Sequence, residues 1–344
     1  MKKIILEMYL KQNLGDDIFL YMLARRYPDV EFYTRASKKF IKNLGLENVH
    51  PRSVWQKIFG KKYIAKVVMG GSMFMENGLA KKDLIETLDS KYGDATPLFF
   101  IGENFGPYQN EFYLQCYRKV FEKSEDVCFR DKYSAQLFSD LSNIRVEPDV
   151  VFGLDKNNYI CKEEKKIVVS VIDLESRDSL RKYRKIYEDK ILEIVEYFSG
   201  MDYEVVLMSF CEAEGDENAI RRILNKTKLG DKVSAYFYKG DINEAIKEIS
   251  SAEYVIGTRF HSVILGLLFN KKLLPIVYSD KTGNVLNDIN YTGKCLKFDD
   301  LVNLDVLKLK TYFTKFGDTS ELSIEAQKHF KKLDRFLKNG GGNV

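Results

Sequence analysis

The feature that most constrains this chain is an alternation: short apolar runs keep giving way to longer segments whose apolar residues recur at helical spacing. In the first half IILEMYL, VEFY, KVVMGG, PLFFIGEN and DVCFRD read as strands, and DIFLYMLARRY and EFYLQCYRKVFEK read as helices between them. Strands separated by whole helices rejoin a sheet by crossover connections, so the pattern calls for parallel sheets flanked by helices. A charged stretch, DKNNYICKEEKK at 155–166, interrupts it. The pattern then resumes with KIVVSVI, YEVVLMSF, SAYFY, AEYVIG and KLLPIVY, separated by helical segments near 180–198, 214–226, 241–250 and 261–269. The expectation is an α/β protein with two Rossmann-like domains and a cleft between them. The first spans 1–155, the second 156–315, and a C-terminal helix with a flexible tail occupies 316–344. A length of 344 residues suits two cores at roughly 150 residues per domain.

Composition excludes several classes. With 45% hydrophobic and 13% aromatic residues, burial can offset chain entropy and wholesale disorder is ruled out. Lys and Arg number 54 against 50 Asp and Glu, with the signs interspersed, which falls short of a nucleic-acid footprint and leaves a mild bias toward anionic substrates. The cysteines at 116, 128, 161, 211 and 295 are odd in number and lack CxxC spacing, as expected in a reducing compartment without structural zinc. The opening MKKIILEMYLKQNLGDD is too short an apolar run, interrupted by Glu7, for a signal peptide, and reads as a first strand. No stretch approaches the ~18 apolar residues of a spanning helix, so any membrane contact must be peripheral; the expected location is the cytoplasm. The last segment, LSIEAQKHFKKLDRFLKN, sets Phe330, Leu333, Phe336 and Leu337 on one side of a basic helix. That stripe either packs on a domain or lies on the inner face of the cytoplasmic membrane, and GGGNV after it reads as a mobile end.

The strongest local signal is AEYVIGTRFHSVILGLLFNKKLLPIVYSDK. A strand ends at Gly257 and a helix begins near Phe260, which puts Arg259 and His261 at a strand-to-helix turn, where ligands bind in such sheets. Helix amides, the helix dipole and a guanidinium together suit a phosphate or carboxylate. The alternatives are a structural ion pair for Arg259 and a helix-start histidine for His261. Asp16, after the first strand, is either a general base or the cap of the next helix. Gly70 and Gly71 end a buried strand and serve close packing or close substrate approach. Arg130 is an anion ligand or the ion-pair partner of Asp131. His50 and His329 read as surface residues. The three histidines, with no HExxH and no carboxylate cluster, argue against a catalytic metal. GxGxxG after the first strand, GxxxxGK[ST] and GxSxG are all missing, against dehydrogenase, P-loop and acyl-transfer readings.

These residues resemble a known family. RFH followed by an apolar helix, Pro275, Tyr278 and Lys281 is similar to the R-x-H … P … Y-x-x-K pattern of the polysaccharide pyruvyl transferases. Asn13, Gly15 and Asp16 resemble their N-x-G-D turn, and Gly70, Gly71 and Ser72 their glycine-rich turn. Gly102, Gly106 and Pro107 in IGENFGP, and Arg130, Asp131 and Ser134 in FRDKYS, match two further motifs in order. The resemblance covers about 3–290 and implies a GT-B-like fold and a transferase moving pyruvate from phosphoenolpyruvate onto a sugar. The implied product is a 4,6-ketal on a hexose such as galactose, made during bacterial capsular, exo- or cell-wall polysaccharide synthesis. It implies no cofactor beyond phosphoenolpyruvate as co-substrate, and a sugar acceptor that is free, polymeric or lipid-linked. Arg130, Arg259, Phe260, His261 and Lys281 would hold the donor. His261 would carry the proton, with Arg259 beside it, and Asp16, presented from the opposite domain, would be the base, with Asp17 the competing choice. Asn13, Gly15, Asp17, Gly71, Ser72, Glu103 and Asn104 would line the acceptor side. Two other readings share the fold: a glycosyltransferase using a nucleotide sugar, and a non-catalytic sugar-binding member of a biosynthetic complex.

Overall fold

Each half of the alternation builds its own parallel sheet. The computed structural model describes residues 1–52, 63–76, 78–226 and 232–341. The chain in it divides into two units. The first comprises the described residues of Met1–Leu10, Phe19–Gly153 and Leu322–Val344, and the second those of Lys11–Ile18 and Leu154–Glu321.

In chain order the first stretch gives β1 (Lys2–Glu7), α1 (Leu14–Arg26), β2 (Val30–Thr34), α2 (Lys38–Asn43), β3 (Val49–Pro51), β4 (Ala65–Met69), α3 (Lys81–Tyr92), β5 (Leu98–Glu103), α4 (Glu111–Glu122), β6 (Asp126–Phe129), α5 (Lys132–Gln136) and β7 (Ile144–Val146). Its seven strands run parallel in the order β3-β2-β1-β4-β5-β6-β7. Every residue of β4 and β5 is buried, as expected for central parallel strands covered by helices on both faces. An aromatic core of Phe74, Phe100, Phe105, Tyr117, Phe121 and Phe138 fills one face.

The second stretch gives β8 (Glu164–Ser170), α6 (Arg184–Gly200), β9 (Glu204–Ser209), α7 (Asp216–Leu224), β10 (Val233–Phe237), α8 (Ile242–Ser251), β11 (Ala252–Gly257), α9 (Phe260–Leu268), β12 (Lys272–Val277), α10 (Asp280–Asp288), β13 (Leu296–Lys297), α11 (Ser320–Ala326) and α12 (Lys331–Lys338). Six strands run parallel in the order β10-β9-β8-β11-β12-β13. The chain winds outward from β8 through β10, then returns to the other side of β8 with β11, so the topological switch lies between β8 and β11. Helix α9, FHSVILGLL, is buried along its whole length, which is why it is apolar all round.

The strands read from sequence are present, and the short β3, β7 and β13 are additional. At two or three residues each, they carry too little periodicity to read. The observed division also differs from the expected one. The second unit takes in Lys11–Ile18 as well as Leu154–Glu321, and the terminal segment belongs to the first unit instead of standing apart. That segment is α11, a 3-10 turn at Gln327–Phe330 and α12, not one continuous helix. Phe330, Leu333, Phe336 and Leu337 are all buried. Phe336 packs on Phe99 with ring centres 5.3 Å apart, and Phe330 on Tyr27 at 6.2 Å. The stripe therefore covers the first unit's own core, and the membrane reading of this helix loses its apolar face. Of the tail GGGNV, residues 342–344 lie outside the described residues.

His329 corrects the surface assignment. It is fully buried and donates from Nε2 to the carbonyl of Pro148 at 2.8 Å. Burial pushes its pKa down to about 3, so the imidazole is neutral. His50 is half-exposed and pairs with Glu31. No helix among the described residues is long and apolar enough to cross a membrane.

Candidate active site

The second unit gathers its chemistry at the carboxyl ends of its strands. Ser170 ends β8, and its Oγ accepts the amides of Thr258 at 2.9 Å and Arg259 at 3.1 Å, which tie the β11–α9 turn across the topological switch. Ser262, one turn into α9, closes the set through a 2.6 Å contact between its Oγ and that of Ser170. These hydrogen bonds pin the turn to the end of β8.

Arg259, at the N-cap of α9, is buried, and its guanidinium is gripped by acids of the same unit. Nε donates to Asp216 Oδ2 at 2.9 Å, Nη2 donates to Asp216 Oδ1, and Nη1 donates to Glu214 Oε2 at 2.6 Å. Burial works against the charge, but the two carboxylates more than offset it and hold Arg259 ionised well above its ordinary range. Glu214 also takes Arg177 Nη2 at 2.7 Å. Burial opposes its ionisation, yet Arg259 and Arg177, with Lys281 adding, keep its carboxyl below the usual value. Lys281 Nζ stands 6.0 Å from the Phe260 ring centre.

The same network reaches the turn that follows the first strand. Asp216 Oδ2 accepts the amides of Phe210 and Cys211, both at 3.0 Å. The carbonyl of Phe210 accepts Leu14 N–H at 3.0 Å, and Asn13 pairs with Cys211 in an isolated antiparallel bridge. Asn13 Oδ1 accepts Gly15 N–H at 3.1 Å, and its Nδ2 donates to Glu214 Oε1 at 3.4 Å. The glycine is required by a close approach. A Cβ on Gly15 would fall 1.7 Å from Nδ1 of His261. The N-x-G-D turn and the R-x-H turn are thus in contact inside one unit, and the expectation that Asp16 comes from the opposite domain is corrected: Lys11–Ile18 belongs to the second unit.

Asp16 and Asp17 both lie in the first turn of α1. Asp17 is fully buried and accepts the Tyr238 hydroxyl on Oδ2 at 2.7 Å. Burial pushes its pKa up to about 8, with the Tyr238 bond opposing and neighbouring Asp16 adding to the rise. Asp16 is slightly more accessible, at 8% exposure.

The first unit assembles its own motifs. Arg130 is buried; Nη1 donates to Asp149 Oδ2 at 2.9 Å, and Nη2 donates to the Gly71 carbonyl at 3.0 Å and Asn104 Oδ1 at 2.7 Å. A Cβ on Gly71 would sit 2.2 Å from Nη2, so the second glycine of GGS makes room for this guanidinium. The glycine-rich turn and G-E-N-F are joined again by Asn104 N–H donating to the Gly71 carbonyl at 3.2 Å, and Glu103 beside them is fully buried. Asp131 is the cap of α5, accepting Ser134 N–H at 2.8 Å and its hydroxyl at 2.9 Å, while Ser134 Oγ accepts Phe105 N–H at 2.8 Å. Ser72 follows Gly71 in the same turn.

Sequence reasoning missed Asp149, Arg177, Glu214, Asp216 and Tyr238. The acids lie in EPD and EAEGDEN, whose only signal was acidic residues just before or at a helix start. Among the described residues no group of three or more His, Cys, Asp and Glu side chains is arranged to hold a metal ion.

Solved structures of this architecture include the UDP-GlcNAc 2-epimerase of Methanocaldococcus jannaschii in complex with UDP-GlcNAc and UDP, with a TM-score of 0.59 at 10% identity over 98% of this chain and 100% of that one. Anabaena Alr3699/HepE in complex with UDP and glucose gives 0.56 at 12% identity over 100% of each chain. At these identities the likeness establishes the fold alone, two Rossmann-like domains of the GT-B type. Residues 13–280 match the family described as polysaccharide pyruvyl transferase, and the chain belongs to that family. It is also 23% identical over 314 residues to the amylovoran biosynthesis protein AmsJ of Erwinia amylovora, spanning 82% of this chain and 72% of that protein.

Proposed function

We propose that the protein transfers pyruvate from phosphoenolpyruvate onto two hydroxyls of a hexose, forming a cyclic ketal, in the synthesis of a bacterial surface polysaccharide. The observation that carries this reading is the contact between the Gly15 turn and His261, beside an arginine-capped helix start at the switch point of one sheet. A proton carrier, a carboxylate-bearing turn and an electropositive helix end are what ketal formation demands.

In the reaction, C3 of the enol takes a proton and becomes a methyl, which leaves C2 electron-poor. One sugar oxygen bonds to C2 and gives up its proton. A second sugar hydroxyl then bonds to C2 through its oxygen as the C2–O–phosphate bond breaks, and its proton leaves with the departing phosphate. His261, an imidazole and so of the side-chain type that exchanges protons near neutral pH, delivers the proton, and Asp16 accepts one from the attacking hydroxyl. The dipole of α9 and Lys281 favour the donor's anionic groups, and Phe260 lies beside Lys281. Arg259 contributes chiefly by fixing the turn, since three of its N–H groups are committed to Asp216 and Glu214, leaving at most two of five for a donor. Arg130, engaged by Asp149, Gly71 and Asn104, is assigned to substrate by the family resemblance alone.

The test is acceptor-dependent release of phosphate from phosphoenolpyruvate, with His261→Gln as the variant. Loss of roughly 10²- to 10⁴-fold in turnover with donor binding retained is expected for a proton carrier. Unchanged turnover removes His261 from the chemistry. The nucleotide-bound structures of the same fold favour one rival, transfer from a nucleotide sugar. Release of UDP from a UDP-sugar, with no phosphate from phosphoenolpyruvate, would establish it.

A further inference from the structure

Gly15 lies against the His261 imidazole, a placement the N-x-G-D turn keeps only if something holds it. Backbone contacts do part of this: Leu14 N–H donates to Phe210 O at 3.0 Å, and Asp17 N–H donates to Asn13 O at 2.9 Å. The side chain that completes the hold lies outside every motif. Tyr238 follows β10, has its amide fixed on Ser209 Oγ at 3.2 Å, and is fully buried. Its hydroxyl meets Asp17 Oδ2 at 2.7 Å, and Asp17 is fully buried too. Asp17 Oδ1 has no hydrogen-bond partner among the described residues.

An ionised carboxylate with one oxygen buried and unpaired is costly, whereas a neutral carboxyl group tolerates that position. Burial raises the Asp17 pKa accordingly. A carboxyl held neutral is a poor proton acceptor, so Asp17 does a different job from Asp16.

We propose that Tyr238 is a positioning residue for the reaction: its bond to Asp17 locks the first turn of α1, keeping Gly15 on His261 and leaving Asp16 as the base. This rests on the pyruvyl-transfer reading for its catalytic consequence, but the lock itself does not. Removing the hydroxyl leaves a well-packed ring, so the fold is retained while the turn loosens. Asn in place of Asp17 still accepts the Tyr238 hydroxyl on its amide oxygen, so the lock survives without a titratable group.

The experiment uses the full chain and two variants, Tyr238→Phe and Asp17→Asn. Hydrogen exchange is followed at the amides of Leu14 and Asp17, and steady-state turnover with phosphoenolpyruvate and a hexose acceptor is measured beside it. Tyr238→Phe is expected to speed exchange at both amides about tenfold and lower kcat about tenfold, with KM for phosphoenolpyruvate within twofold of wild type. Asp17→Asn is expected to leave exchange at both amides no faster than in wild type and kcat within about threefold of it. Wild-type exchange in Tyr238→Phe overturns the lock. Loss of turnover in Asp17→Asn without faster exchange makes Asp17 itself the base and overturns the assignment. If the wild type releases no phosphate from phosphoenolpyruvate, the functional reading has failed, and the exchange rates alone still decide whether Tyr238 locks the turn.

Discussion

Replacing Asp17 by Asn should change how the second unit's stability depends on pH. Asp17 has a folded pKa of about 8 against an ordinary value of 3.8, because burial penalises its charged form. Between those values the folded unit holds one proton that the unfolded chain has released. The unfolded state binds fewer protons, so stability falls as pH rises through this window, by about 1.4 kcal/mol per pH unit at the full slope. Below the window both states are protonated, and above it both are ionised, so the slope from this residue vanishes at either end. Asn cannot titrate and lacks the slope. Asp17→Asn should therefore match wild type near pH 4 and exceed it by several kcal/mol by pH 8. Urea titrations at pH 5, 6, 7 and 8, read by hydrogen exchange of peptides within 204–226 and 232–238, follow this unit by itself. A stability difference between the two proteins that stays flat with pH would refute the reasoning, because it would mean that Asp17 is ionised in the folded protein.

Two further outcomes follow from the packing. Gly15→Ala places a methyl on the His261 ring, so turnover should fall at least a hundredfold while the melting transition shifts by only about 1–3 kcal/mol, the usual cost of overpacking; an active alanine variant would show that the contact is not needed. Arg259→Ala strands Asp216, which is fully buried, and should cost roughly 3–5 kcal/mol of stability in urea titration, with Arg259→Lys recovering only part of it because the side-on fork is lost. A loss under about 1 kcal/mol would show that Arg259 is held for substrate and not for structure.

Much of the fold was legible because strands such as β4 and β5 are buried on both faces and so read as unbroken apolar runs, and because α9 is apolar throughout. Gly15 and Gly71 were legible as special but not for what they accommodate. The His261 ring and the Arg130 guanidinium arrive from positions 246 and 59 residues away in the chain, and no local pattern encodes that meeting. The carboxylates around the two arginines were illegible for a related reason: Asp149, Glu214 and Asp216 look like ordinary acids near helix starts until the fold brings a guanidinium to each. The apolar stripe at 330–337 was read correctly as needing cover, and only its packing on Phe99 and Tyr27 decided what covers it. His329 misled because a polar residue in a basic helix gives no hint that it turns inward to a backbone carbonyl.

The central claim is that the donor is phosphoenolpyruvate, and a thermal-shift titration of the full chain with phosphoenolpyruvate and, separately, with UDP-glucose tests it most directly. A ligand present at a hundred times its Kd stabilises the folded protein by about 2.7 kcal/mol, which is readily seen as a raised melting temperature. Phosphoenolpyruvate should raise it in a saturable way, and the rise should shrink in Arg259→Lys. A saturable rise with UDP-glucose and none with phosphoenolpyruvate would contradict the account.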